Sequence, residues 1–578
     1  MTRSATSDRT DRTKKRLTAL GALLVLILAA CVGFAKPLRS AMAGWTGEEA
    51  LGEQLKGTLA LAYLRLTQPT PETAPMVPIA HTGLPPYGVN TFLEQEVEAA
   101  KVEQSLELIA EAGFGWIRQQ FPWEDIEISA KGDFWDHKWN HSAWEKYDRI
   151  VDLAEKHGIE IIARLDNPPS WSRTMGDAPG WTMAPPDDYE DFGDFVYAVV
   201  DRYKGRIRYY QIWNEPNIFP EWGDQPASPE GYADLLKIAY RRAKEADPEC
   251  VILAAGLAQN IEETPDEFGP RNMSDLLYLE RMYQAGAQGS FDIMGAQVYG
   301  LWTGPNDRRT SRDRTNYSRV QLLRAIMVEH GDAAKPIWAT EVGWSALPED
   351  FGQAPYGRVT EEQQARYAVE AYQRAQQEWP WMGVMSYWFF RRPSDLEREQ
   401  AWYYFRMIEP DMRPMPVYDA LSELARSTTT IEIGYHQEDH WAIRYQGPWE
   451  QVTDAEAVLG SYALGAAGAS LQLSARGTQV ELVLREPVTT IPDVTVRIDG
   501  ETVSSLQLGA DPQGRSTTLV LGHRLPDGVH EISVSVDQTP LALDGIVVQR
   551  HRSLQRFAVA AAGIVAFLIA LVLYARRR

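Results

Sequence analysis

The pattern of apolar and polar positions changes character along this chain. Between Tyr87 and about Arg426, short runs rich in β-branched and aromatic residues alternate with longer stretches in which apolar side chains recur every three or four positions. The short runs predict strands at Tyr87–Thr91, Trp116–Gln119, Glu160–Arg164, Tyr209–Trp213, Val251–Ala255, Ile293–Val298, Ile337–Thr340 and Val384–Tyr387. The longer ones predict helices at Val97–Ala112, Trp144–His157, Tyr189–Tyr203, Tyr232–Ala246, Met273–Ala285, Val320–His330, Glu361–Gln377 and about Val417–Leu424. Eight alternations across residues 81–427 fit an α/β chain closed into a (β/α)8 barrel. An open doubly wound sheet would need a Gly-rich phosphate loop after its first strand, and Tyr87-Gly-Val-Asn-Thr-Phe has none.

After about Thr428 the helical period disappears. Runs at Thr430–Tyr435, Gln479–Leu484, Val494–Ile498, Thr517–Leu521 and Glu531–Val536 alternate or are β-branched, with Asp499-Gly500 and Asp527-Gly528 as turn signals, which predicts an all-β sandwich over residues 428–552. Ahead of the barrel, residues 37–80 predict a helix from Glu48 to about Leu66. The Pro/Thr-rich Gln68-Pro-Thr-Pro-Glu-Thr-Ala-Pro that follows reads as a stalk or linker.

Two apolar runs bracket the chain, Leu17–Ala35 within residues 17–36 and Phe557–Ala575 within residues 553–578, each about long enough to span a bilayer as a helix. A basic tail, residues 1–16, ends in Lys14, Lys15 and Arg16 before the first run, and Arg576, Arg577 and Arg578 follow the second. The positive-inside rule then places both termini in the cytoplasm and the rest of a membrane-anchored protein outside the cell. Leu28-Ala29-Ala30-Cys31 also resembles a bacterial lipobox, whose cysteine is lipidated after cleavage. The run continues past it through Val32, Gly33 and Phe34, which favours an uncleaved helix, and either version leaves the bulk of the chain extracytoplasmic.

Composition narrows the chemistry. A formal net charge of −22 argues against a nucleic-acid partner, which would need clustered Lys and Arg. Only Cys31 and Cys250 are present, so neither a structural disulfide nor thiol catalysis nor Cys-ligated zinc has support. Nineteen Trp and 25 Tyr suit a protein that stacks flat apolar faces, although any one ring serves core packing equally well.

Reactive groups of such a barrel project from the C-terminal ends of its strands, and two carboxylates sit there. The fourth strand reads Tyr-Tyr-Gln-Ile-Trp213-Asn214-Glu215-Pro216-Asn217 and the seventh Ile-Trp-Ala-Thr-Glu341-Val-Gly-Trp344. Glycosidic cleavage needs one protonated carboxyl to give a proton to the departing oxygen and one ionised carboxylate to meet the charge developing at the anomeric carbon. Alone, Asn-Glu-Pro is a common tripeptide that also starts helices; its place after a strand, with a second strand-end Glu three strands later, is what points to catalysis.

On these residues, roughly 85–425 of the chain resembles clan A of the glycoside hydrolases, and Trp213-Asn214-Glu215-Pro216 is similar to families 5 and 39. The resemblance implies a retaining mechanism with Glu215 as general acid/base and Glu341 as nucleophile, Asn214 on the substrate 2-hydroxyl and a carbohydrate as the binding partner. Arg118 looks like the clan's arginine that keeps the nucleophile ionised, Tyr299 like its tyrosine on the nucleophile and Trp388 like its indole platform, each with a structural rival in salt bridging or rim packing. Two departures stand out: Gln297 where a histidine is frequent, and Asp166-Asn167-Pro168-Pro169 ending the third strand in place of a histidine. Trp123, Trp171, Trp181, Trp222, Trp302 and Trp344 fall in or near strand-to-helix loops and are candidates to line the cleft. The Asp-Gly turns of the C-terminal domain resemble galactose-binding-like jelly rolls, with a spacer between barrel and membrane as the plainer reading.

Competing chemistries lack their motifs. There is no Gly-x-Ser-x-Gly elbow and no phosphate loop, and no cofactor or metal is implied. His436 and His440 have a zinc-like spacing, but in an extended strand they would stand roughly 13 Å apart as surface histidines. The same two carboxylates would serve transfer to an acceptor sugar, so a transglycosylase is the alternative to a hydrolase. A non-catalytic glycan-binding surface protein has no chemical need for them.

Overall fold

The computed structural model describes residues 38–262, 271–486 and 488–551. Eight parallel strands close into a barrel: β1 (Tyr87–Thr91), β2 (Trp116–Pro122), β3 (Glu160–Asp166), β4 (Tyr209–Ile212), β5 (Val251–Leu257), β6 (Ile293–Gln297), β7 (Ile337–Val342) and β8 (Met382–Tyr387), with β8 pairing back onto β1. All eight predicted strands are present. Their near-continuous burial explains their legibility, since strands covered on both faces read as unbroken apolar runs. An outer ring of helices covers them, and the apolar faces of all but the first join the strands in one large core. Of these helices, α1 (Leu51–Thr67) precedes the barrel, and α2 (Ala99–Glu111), α3 (Glu145–Lys156), α4 (Tyr189–Arg202), α5 (Pro229–Ala246), α6 (Asp275–Gln284), α7 (Val320–Glu329), α8 (Glu361–Glu378) and α9 (Pro416–Ala425) follow in turn. Local chemistry starts them: Ser228 accepts from the Gly231 amide ahead of α5, whose first residue is Pro229, and Thr360 with Gln363 forms a capping box on α8.

The floor of the barrel, at the N-terminal ends of the strands, is closed by large rings. Trp116, Tyr209 and Trp338 meet with centroids 4.9–5.4 Å apart. The indole N–H of Trp116 donates to the Pro85 carbonyl and that of Trp338 to the His81 carbonyl. The stretch preceding β1 is not a free stalk: Ile79 is buried in the core and the Thr73 carbonyl accepts from Arg324.

The C-terminal domain is an all-β sheet of ten strands, built around two long ones, Ser470–Leu484 and Thr517–Val536, with its own apolar core. Asp499 and Gly500 both take positive φ and turn the Val494–Ile498/Glu501–Thr502 hairpin, as expected. Asp527-Gly528 is different: it lies inside the 20-residue strand, where the pairing jumps from Gln479↔His523 to Gly477↔Gly528, so the extra residues form a bulge and not a turn. The sheet docks on the barrel floor, where the Trp441 amide donates to the Gly83 carbonyl and the Trp441 ring meets Tyr87 edge-on. His436 and His440 belong to this junction. The chain turns between them, bringing the rings to 5.0 Å, and burial lowers the pKa of both, so they are packed neutral rings and not solvated surface histidines.

Among the described residues no helix is long and apolar enough to cross a membrane. The expected membrane segments, residues 17–36 and 553–578, lie outside the described residues.

Candidate active site

The mouth of the barrel gathers its polar groups around Arg118, a buried residue of β2. Its guanidinium donates from Nε to Gln211 Oε1 (2.7 Å), from Nη1 to Asn90 Oδ1 (2.7 Å) and Glu341 Oε1 (3.0 Å), and from Nη2 to Asn214 Oδ1 (2.7 Å). One cation thus ties together the ends of β1, β2, β4 and β7. Its position is over-determined, as a buried charge requires.

Glu341 is 5% exposed at the end of β7. Its second oxygen accepts from the Tyr299 hydroxyl at 2.6 Å. A guanidinium and a phenol O–H are the donors an ionised carboxylate takes. Burial, followed by the charge of Glu341, holds the Tyr299 hydroxyl protonated far above its usual range, which keeps it a donor.

Glu215 stands just beyond β4, where the backbone bends sharply. Trp213 and Glu215 adopt φ of 71° and 38°, a region that side chains avoid unless surroundings enforce it. Here the Trp213 amide donates to the Leu165 carbonyl and the Glu215 amide to the Gly256 carbonyl, locking the bend onto β3 and β5. Loss of water around the Glu215 carboxyl raises its pKa well above the carboxylate range, and the charges of Glu341 and Glu221 raise it further. The nearby amide of Gln297, the residue standing where the clan frequently has histidine, opposes the shift, although its Nε2 makes no hydrogen bond of ordinary geometry. The two carboxyls are therefore electrostatically coupled and differ in environment: one is ion-paired, the other is desolvated without a cation of its own.

The remaining expected residues divide. Asn214 is brought into the cluster, with its Oδ1 on Arg118 and its Nδ2 donating to Glu221 Oε1 at 3.1 Å. Trp388 flanks the mouth, partly exposed, with its ring edge-on to Phe92 at 5.5 Å. Trp344 is not on the cleft surface. It is fully buried, donates to the Thr303 carbonyl and lies so close to Gly300 that a Cβ there would fall 2.1 Å from its ring. Trp123 and Trp222 are likewise core residues, whereas Trp171 and Trp181 are partly exposed and Trp302 is 60% exposed. Asp166 pairs with Arg164 at 2.8 Å and accepts from Gln120.

Sequence reasoning missed Asn90, Gln211 and Glu221. Asn90 and Gln211 carried a signal, a polar residue inside an otherwise apolar buried strand. Glu221 carried none, because only the fold of the loop after Glu215 returns it to Asn214. Burial first, opposed by Arg164, sets its carboxyl at about 7.

Beside this cluster, between the ends of β1, β2 and β3, an open polar cavity of about 510 Å³ is lined by Glu94, Gln120, Glu124, Asn167 and Asp177 among others. As for metals, Glu103, Glu107 and His157 bring three ligand-type atoms within 4.8 Å on the surface between α2 and α3, and Glu103 already pairs with Lys156.

No family model matches the chain. A 119-residue stretch is 29% identical to the beta-glucosidase-like SFR2 of Oryza sativa subsp. japonica, covering 20% of this chain and 18% of that protein. A 120-residue stretch is 28% identical to the 6-phospho-beta-glucosidase of Clostridium longisporum, covering 20% of this chain and 24% of that one. The chain thus spans about a fifth of the length of these curated relatives. Among solved structures, a family 39 glycoside hydrolase from the gut symbiont Bacteroides cellulosilyticus WH2 aligns with a TM-score of 0.45 at 18% identity, over 80% of this chain and 83% of that one. The two curated relatives are named as a beta-glucosidase-like protein and a 6-phospho-beta-glucosidase, in keeping with the clan A glycoside hydrolases that the two strand-end motifs resemble.

Proposed function

We propose that this chain is a retaining glycoside hydrolase in which Glu215 is the general acid/base and Glu341 the nucleophile, anchored in the cell membrane with its barrel outside the cytoplasm. The observation that carries the reading is the unequal environment of the two carboxyls. Glu341 is held by Arg118 and Tyr299 as a carboxylate would be, and Glu215 is driven toward its protonated form beside it.

In this reading Glu341 attacks the anomeric carbon while Glu215 delivers its proton to the leaving oxygen. The glycosyl-enzyme forms, the charge on Glu341 is consumed, and Glu215 loses both its proton and the negative neighbour that raised its pKa. It is then suited to take a proton from the incoming water. Asn214, oriented by Arg118 on one side and Glu221 on the other, keeps one amide N–H to donate to the sugar's 2-hydroxyl. Trp388 supplies an apolar wall.

The test is turnover of a panel of aryl glycosides by the intact protein and by Glu341→Ala. Azide should restore the variant and give a glycosyl azide of inverted configuration. Equal inertness of both proteins across the panel would sink the reading. Adding an acceptor sugar distinguishes hydrolysis from transfer, since both draw on the same intermediate.

A further inference from the structure

The helix α1 turns its apolar side away from the protein. Its inward face, Gln54, Gly57 and Leu61, is buried, while Leu51, Leu55, Leu59, Tyr63 and Leu66 are 49, 51, 74, 65 and 87% exposed. With 3.6 residues per turn these five fall in one sector of roughly 120°, opposite the buried residues. A helix on the flank of a globular domain ordinarily has the reverse arrangement, and a continuous exposed apolar stripe marks an interaction surface.

The stripe runs along the barrel axis. Just ahead of α1, Glu49 accepts from Arg366 at 2.6 Å and Tyr367 at 2.8 Å, in the part of α8 that follows β7 at the mouth. Beyond its other end, the Thr73 carbonyl accepts from Arg324, whose guanidinium also reaches the Ala333 and Lys335 carbonyls just before β7 enters at the floor. The 17 residues of α1, about 25 Å long, therefore span the flank from mouth to floor.

The sequence indicates what covers the stripe. Fifteen residues separate the uncharged 19-residue apolar run Leu17–Ala35 from Leu51, and nine of them, residues 38–46, are helical, so the tether is shorter than the about 50 Å of an extended chain. On the same approach Leu38 and Trp45 are 55% and 40% exposed. Lys56 and Arg65 border the stripe, and their long stems let such residues reach headgroups from an apolar edge.

We propose that α1 lies in the bilayer interface, with Leu51, Leu55, Leu59, Tyr63 and Leu66 against the lipid. The barrel then rests on this flank with its axis parallel to the membrane, and its mouth opens alongside the headgroups, where glycans carried at the membrane surface can enter. Trp45 and Tyr63 occupy the level that interfacial aromatics prefer. This placement does not depend on the glycosidase reading.

The test uses the full chain reconstituted into phosphatidylethanolamine/phosphatidylglycerol vesicles, with an environment-sensitive fluorophore on Leu55→Cys, Leu59→Cys or Glu53→Cys. The parent protein, labelled in parallel, serves as blank for Cys31 and Cys250. At positions 55 and 59 the emission should shift to the blue and be quenched severalfold more by nitroxide-bearing lipids than at position 53. Equal, water-like emission at all three would overturn the proposal. So would blue-shifted emission at 55 and 59 that lipid nitroxides leave untouched, since the stripe would then be covered by protein, a second copy or another segment of the chain. Circular dichroism of each variant confirms that the helix persists.

Discussion

The mouth and the floor of the barrel are opposite ends of the same eight strands, and they differ in what their side chains leave open. At the floor, Trp116 stands edge-on to Tyr209 and Trp338, which tilt against each other, both indole N–H groups reach backbone carbonyls, and the C-terminal sheet covers the outside. At the mouth, Arg118 is fully engaged, yet Glu215 is desolvated with no cation of its own, and Glu221 is desolvated beside an Arg164 that Asp166 already pairs. The floor is arranged for packing and the mouth holds electrostatic tension, the division expected where one face of a barrel stabilises and the other reacts. It also bears on the C-terminal sheet. Docked at the floor, it is at the opposite end from Glu215 and Glu341, which suits a spacer better than a lobe of the catalytic cleft.

The largest expected effect lies at the mouth. Glu341→Ala removes the group that would form the covalent bond, and kcat should fall on the order of 10⁴-fold or more, as when other covalent nucleophiles are deleted. The melting temperature should fall, because the buried Arg118 guanidinium loses the carboxylate that pairs it and keeps only neutral amide oxygens as partners. A variant that kept activity would break the division at its centre. The floor should behave differently. Trp338→Ala opens a cavity beside Trp116 and Tyr209 and strips the His81 carbonyl of its donor, and should cost about 3–5 kcal/mol of stability by denaturant unfolding. kcat of the remaining folded enzyme should stay near that of the parent.

The division also explains what could be read in advance. Barrel strands are legible because burial on both faces turns them into apolar runs. The positions of Glu215 and Glu341 are legible because a charged residue directly after such a run has few structural reasons to be there. The same logic misplaces Trp344, since a tryptophan beyond a strand end is as easily folded back over Gly300 as turned to the cleft. It also passes over Glu221, whose loop position has no periodicity. In the C-terminal domain, Asp-Gly specifies a pair of positive-φ residues, which Asp499-Gly500 realises, whereas Asp527-Gly528 is absorbed by a bulge set by long-range pairing.

A smaller effect separates the two partners of Glu341. Arg118 is held by three other acceptors, so removing it would disturb the whole cluster, whereas Tyr299→Phe deletes one hydrogen bond to the carboxylate and keeps the ring against Phe405. A hydrogen bond to a charged group contributes about 1.5–3 kcal/mol, so kcat/KM should fall about 10- to 100-fold with no loss of folding. An unchanged rate would mean that the hydroxyl is packing and not part of the site's electrostatics.

The finest test concerns Glu221, which touches neither proposed reacting atom. The acid step needs Glu215 protonated, so activity should decline as pH rises through the pKa of Glu215. Glu221, itself titrating at about 7, is ionised over the alkaline part of that range, and its negative charge is one of the causes holding the Glu215 proton in place. Glu221→Gln keeps an acceptor oxygen for the Asn214 amide but removes the charge. The pKa of Glu215 should then drop, and the alkaline limb of the kcat/KM profile should move to lower pH. Gln297→Ala removes a nearby amide dipole that lowers the same pKa and should move the limb the other way. Opposite displacements in the two variants would show that the mouth sets the acidity of Glu215 through its neighbours. Displacements in one direction, or none, would mean that burial alone governs it.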